Sequence, residues 1–129
     1  MSIYIALALA GAVGAISRYW VLRTAYSWLG DNFPYGTLMV NVSGSLVMGF
    51  LTVLLVHRFN VSQEIRLALL VGFLGSFTTF STFSLETFSL FRDRETMLGL
   101  MNIGLNNLLA IVFVFAGYFL SRCSLNLLK

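Results

Sequence analysis

Four apolar runs, each long enough to cross a bilayer, alternate with short polar stretches along the chain. They predict helices over residues 3–26, 37–56, 65–91 and 97–121, and so little length remains that residues 1–129 form a single transmembrane domain. The first run, from Ile3 to about Ile16, contains Ala6-Leu7-Ala8-Leu9-Ala10, which resembles a cleavable leader. No Lys or Arg precedes it, however, and hydrophobicity continues past Arg18 through Tyr19, Trp20, Val21 and Leu22, so a retained helix is expected. Gly11 with Ala15, and Ala10 with Gly14, are spaced for close helix packing. The stretch Tyr26 to Gly36 reads as an interfacial connection, with aromatic residues for the headgroup layer and the sole proline, Pro34, to stop helix formation.

Polar residues within the runs then single out faces. Asn41, Ser45 and Gly49 lie four apart on the second helix, a small polar face that suits either helix packing or a pathway lining. Asn102 and Asn106 are one turn apart on the fourth, and since an unpaired amide costs roughly 1–3 kcal/mol to bury, both are expected to face the bundle interior. The third run departs furthest from the pattern. Gly72 and Gly75 loosen the backbone, then Thr78, Thr79, Ser81, Thr82 and Ser84 alternate with Phe77, Phe80 and Phe83 where an apolar helix would simply continue. A break in this third helix is expected, and unwound backbone at membrane depth must face protein, water or an ion.

Composition confirms the environment and removes alternatives. With 58% hydrophobic and 10% charged residues and a mean hydropathy of +0.87, the chain is an all-α integral membrane protein. Its +3 formal charge comes from scattered basic residues with no aromatic-basic surface segment, so no nucleic-acid partner is expected. The single cysteine, Cys123, forms no internal disulfide. The single histidine, His57, has no neighbours at metal-ligand spacing, and no nucleophile, base and orienter assemble around it, which argues against an enzyme. Glu86 is either a solvated acid near a helix end or a proton-linked group. With four crossings, Arg58, Arg66, Arg122 and Lys129 fall on one side and Arg23, Arg92 and Arg94 on the other, a weak instruction for orientation. Copies inserted both ways would pair about an axis in the membrane plane, supplying the inverted symmetry that larger transporters carry internally; a parallel dimer or a monomer is the alternative.

If the segment after Thr78 is helical, Phe77, Phe80 and Phe83 form one strip. Packing would explain such a strip, as would anion binding, because ring edges are positive and hydroxyls and amides donate hydrogen bonds. Three segments carry a resemblance: Gly14-Ala15-Ile16-Ser17-Arg18, Gly36-Thr37-Leu38-Met39-Val40-Asn41, and Gly72-Phe73-Leu74-Gly75 running into Thr78-Thr79-Phe80-Ser81-Thr82-Phe83-Ser84 with Glu86. Over nearly its full length the chain resembles the Fluc (CrcB) family of bacterial fluoride channels. The resemblance implies an antiparallel, dual-topology homodimer in the bacterial cytoplasmic (inner) membrane, with two fluoride pores lined by both subunits. It implies that Phe80 and Phe83 meet fluoride with their ring edges, that Asn41 is a pore-lining amide, that Thr82 adds a hydroxyl, and that Arg18 stands toward a pore entrance. It further implies a structural Na+ at the dimer centre on the backbone carbonyls of Gly75 and Thr78. Other members carry a polar track on the fourth helix, where this chain has Asn106 followed by Ala110, so Asn106 is carried over as the matching position.

The expected function is passive, fluoride-selective export giving fluoride resistance. A proton-coupled small multidrug exporter shares the size and topology but calls for an acid in the first helix, which is absent. A non-transporting membrane assembly subunit, with the aromatic residues as packing, is the other alternative.

Overall fold

The computed structural model describes residues 2–127, the side chains of His57 and Leu127 excepted; Lys129, counted above in the charge balance, lies outside it. Helix α1, Ile3–Leu29, runs unbroken until Gly30, whose φ of 79° turns the chain while its N–H closes on the Tyr26 carbonyl at 3.1 Å. It thus keeps residues 26–29, which the sequence pattern gave to the connection: their aromatic content marks an interface but does not stop a helix. Pro34 sits directly before α2, Tyr35–Val53, where no helical amide hydrogen is required. The helix passes into a wider π-helical turn, Leu54–Arg58, closed by the Phe59 N–H on the Leu54 carbonyl. Segment α3 begins at Gln63–Leu67 with Ser62 capping Ile65, widens to π-helical geometry over Ala68–Leu74 and ends with Gly75–Phe77. Helix α4 spans Phe80–Arg92 and α5 spans Thr96–Leu127. Between α3 and α4, Thr78 (φ −82°, ψ 160°) and Thr79 (φ −152°, ψ 123°) are extended.

Four runs are long and apolar enough to cross a membrane: Ile3–Leu29, Tyr35–Val56, Gln63–Arg92 and Thr96–Asn126. The most extensive packing joins α2 and α5. There the backbones touch: a Cβ at Gly49 would run into the Val114 carbonyl, and one at Gly117 into the Leu46 carbonyl. Gly14 brings α1 equally close to the Phe73 carbonyl of α3. Such contact stabilises helix pairs in lipid, where apolar burial between helices gains little.

The interior is mixed, with Val40, Val53 and Leu74 buried beside polar side chains, and the outside is apolar. Thr37, Asn102 and Ser121 are fully buried, while Leu9, Val13, Ile16, Leu108, Ile111 and Phe119 stand on the outside. The turn after α4 faces water: Arg92 donates to the Asp93 carboxylate at 3.0 and 3.3 Å, and these bonds hold the Asp93 carboxyl below its ordinary range.

Candidate functional site

The two extended residues set the site. Once Thr79 leaves helical geometry, its backbone N–H and C=O need other partners, and Asn41 of α2 supplies both. Asn41 Oδ1 accepts from the Thr79 N–H at 2.8 Å and Asn41 Nδ2 donates to the Thr79 carbonyl at 3.1 Å, so one side-chain amide plays the part of a neighbouring strand. Asn41 Nδ2 donates also to Asn106 Oδ1 at 2.9 Å. From Asn106 the chain of bonds continues: its Nδ2 donates to Asn102 Oδ1 at 2.8 Å and to the Asn102 carbonyl at 3.2 Å. Asn102 Nδ2 donates to Thr87 Oγ1 at 2.9 Å, and Thr87 Oγ1 donates to the Phe83 carbonyl at 2.8 Å. Asn102 and Asn106 are both buried, as their one-turn spacing requires.

Beside this chain lies a groove of about 290 Å³ on the protomer's flank, between α2, α4 and α5. Asn41, Phe80, Phe83 and Asn106 line it together with Thr78 and Ser45, and among the described residues no ionisable side chain takes part. The rings of Phe80 and Phe83 sit 5.3 Å apart at 55°; Phe83 is 6% exposed and Phe80 is 74% exposed. Phe77 does not continue their strip. It stacks on Phe73 at 6.0 Å and faces Gly44, because the extended Thr78 and Thr79 shift the helical register after it.

Thr82 is not on the groove wall: its hydroxyl accepts from Thr79 Oγ1 at 3.0 Å, and Thr79 Oγ1 caps α4 by accepting from the Thr82 N–H. Arg18 is half-buried, with Nη1 donating to the Thr78 carbonyl at 3.3 Å, so it is tied to the extended segment. The Thr78 N–H bonds the Leu74 carbonyl, and the Thr79 N–H is taken by Asn41, which leaves the Gly75 carbonyl without the amide that helical spacing would bring to it. Asn107 and Ala110 also border the groove. Glu86 is bound on the far side of α4, where its Oε1 accepts from Thr37 Oγ1 at 2.8 Å and from Tyr26 Oη at 3.2 Å, joining three helices. The sequence pattern assigns no role to Thr87, and Thr37 stands in the segment 36–41 without one. A threonine four residues after Phe83, positioned to bond the preceding turn, was the available signal for the first; nothing local in sequence marks the second.

Among the described residues no three metal-ligating side chains converge, and the polar groups along the groove are amides, hydroxyls and ring edges. Fold and site together define a small multi-pass membrane protein with an uncharged, mainly apolar groove on its side into which a few amides and hydroxyls are set. Over residues 5–118 the chain matches the family described as CrcB-like protein, Camphor Resistance (CrcB), and it belongs to that family. It is 50% identical over 117 residues to a protein of Methylococcus capsulatus, covering 91% of this chain and 51% of that one. It is 43% identical over 113 residues to a Hydrogenovibrio crunogenus protein, covering 88% and 86% of the two chains. With a Magnetococcus marinus protein the identity is 44% over 116 residues, covering 90% and 94%. Each of the three relatives is named fluoride-specific ion channel FluC. The chain spans about half the length of the first and most of the other two.

Proposed function

We propose that this protein is a fluoride-selective ion channel, not an enzyme, that lets cytoplasmic fluoride leave a bacterial cell passively. The observation that carries the reading is the groove, where the Phe80 and Phe83 rings meet a wall of hydrogen-bonded amides without any formal charge. Ring edges attract an anion while offering it no countercharge, so they can replace part of its water and still release it. The family and the names of the relatives support fluoride as that anion.

The amides act on position. Both Asn41 hydrogens are directed at protein acceptors, the Asn106 Oδ1 and the Thr79 carbonyl. Asn41 therefore shapes the wall by holding Thr79, and with it the helix start that presents both rings. In this reading the third crossing is a broken helix with Thr78 and Thr79 at the break. Each pore is completed by a second, antiparallel copy laid over the groove, a geometry that suits the open flank and the exposed Phe80 ring. Two such grooves give two pores in a dual-topology homodimer. The freed Gly75 carbonyl suits a cation ligand, and the Thr78 carbonyl keeps a second lone pair beside Arg18. Two carbonyls are too few to replace a hydration shell, so a structural Na+ would be held only where both copies contribute; its charge would bind the two broken segments together. Outward flow of the anion is driven by the membrane potential, worth roughly 2.3 kcal/mol per charge per 100 mV, without ATP.

The test is fluoride efflux from liposomes holding the purified protein, with chloride as control. Wild type is expected to release fluoride and not chloride, and Phe80→Ile and Phe83→Ile each to slow release by about tenfold or more, equivalent to about 1.4 kcal/mol on the barrier. Folded protein that releases no fluoride overturns the reading.

A further inference from the structure

We infer that Asn102 is a positioning residue for the ion pathway, acting through Asn106 and Asn41 on the backbone at Thr79 and through Thr87 on the backbone at Phe83. The inference rests on the channel reading for its functional part and on hydrogen bonding for the rest. Asn102 touches no part of the groove and is fully buried, so water does not substitute for its bonds.

Its orientation is forced from outside. The Thr79 N–H only donates, which fixes Asn41 with Oδ1 toward it and Nδ2 toward Asn106. Asn106 must then present Oδ1 to Asn41, and its Nδ2 meets the Asn102 carbonyl, which only accepts. Asn102 is left to accept with Oδ1 from Asn106 and to donate with Nδ2 to Thr87, whose hydroxyl donates to the Phe83 carbonyl. Every member donates in one sense. No amide turns over alone without setting donor against donor on one side and acceptor against acceptor on the other.

The two ends of this chain of bonds have a particular location. Thr79 immediately precedes α4 and Phe83 closes its first turn, the turn that carries both groove rings. Asn102, at the middle of the chain, thereby ties the start and the end of that turn to α5. Removing its side chain takes the shorter of the two acceptors from Asn106, which is then held only by the 3.2 Å bond to the residue-102 carbonyl, so the acceptor it offers Asn41 is less firmly fixed and the hold on Thr79 loosens. An apolar residue of similar size fills the same space and does none of this.

The experiment compares wild type with Asn102→Leu, Thr87→Val and Thr87→Ser, reconstituted in liposomes, by fluoride efflux and by backbone hydrogen exchange at Thr79. Asn102→Leu is expected to exchange Thr79 about five- to tenfold faster, the loss of roughly one hydrogen bond's net protection, and to slow efflux about tenfold. Thr87→Val keeps all three amides and moves both readouts the same way, while Thr87→Ser restores the hydroxyl and both wild-type values. If Asn102→Leu does not fold, Thr87→Val decides on the same two readouts. Folded variants with Thr79 exchange unchanged, or with faster exchange and unaltered efflux, overturn the proposal. Wild type that passes no fluoride overturns the channel reading instead, and Thr79 exchange in the variants then still tells whether the relay exists.

Discussion

Asn41 is the residue whose chemistry is least replaceable, because one side chain satisfies the N–H and C=O of Thr79 and the side-chain Oδ1 of Asn106. An aspartate there accepts from the Thr79 N–H equally well but points a second, charged oxygen at two acceptors. Asn41→Asp is therefore expected to destabilise the fold by on the order of 3 kcal/mol, since an uncompensated charged group costs more than a neutral one, and to abolish fluoride efflux. Equilibrium unfolding in mixed micelles reads the first effect and the liposome assay the second. Glu86 behaves differently, because only its acceptor capacity is used. Glu86→Gln keeps an oxygen for Thr37 and Tyr26 but places its NH2 where Oε2 is buried without a partner, so it should cost about 1 kcal/mol, whereas Glu86→Leu strands the fully buried Thr37 hydroxyl and should cost up to about 3 kcal/mol. Equal losses for the two variants would show that the carboxylate charge, not the hydrogen bonding, stabilises this junction.

At the scale of elements, the glycines divide by what they touch. Gly49 and Gly117 press α2 and α5 backbone to backbone, so Gly49→Ala and Gly117→Ala must force the helices apart, at a cost of about 1–3 kcal/mol each and more if the amide chain between the same helices is strained. Gly104 on α5 has nothing within 4 Å of where a Cβ would stand. Within one protomer Gly104→Ala should stabilise the helix by about 1 kcal/mol, through propensity alone. Thermal unfolding at dilution into excess detergent measures these changes. A Gly104→Ala variant that is less stable only where copies associate would place a partner helix on that face. The same division explains what could be read from sequence. The four apolar runs, the polar face beginning at Asn41 and the inward Asn102 and Asn106 follow from period and burial cost. The π-helical turns and the loss of Phe77 from the aromatic strip could not be read so, since they arise from backbone hydrogen-bond choices that leave the side-chain pattern unchanged. The link from Asn41 to Asn106 joins positions 65 residues apart, and only the packing of α2 on α5 brings them together.

On the scale of the whole molecule, one flank carries an uncharged, mainly apolar groove lined by Phe80, Phe83 and hydrogen-bonded amides. The Phe80 ring stands 74% exposed over that groove, and a second protein surface laid on it would bury the ring and close the groove. If all four runs cross, Arg58, Arg66, Arg122 and Lys129 stand against Arg23, Arg92 and Arg94, a balance that permits that second surface to be a copy inserted the opposite way. Two kinds of fused reporter at the C-terminus, one active only outside the membrane and one only in the cytoplasm, should then both give signal from a single gene. Appending several lysines and arginines to the C-terminus should hold that end in the cytoplasm, extinguish the outside reporter and cut fluoride efflux by about tenfold or more, as oppositely inserted partners become scarce. Co-expressing a second form biased the other way, by adding the same charges to the loop after α1, should restore efflux. Efflux that persists in cells where every copy has one orientation would mean that the groove is closed by a parallel partner, and would refute the antiparallel pairing while leaving the aromatic and amide chemistry of the groove intact.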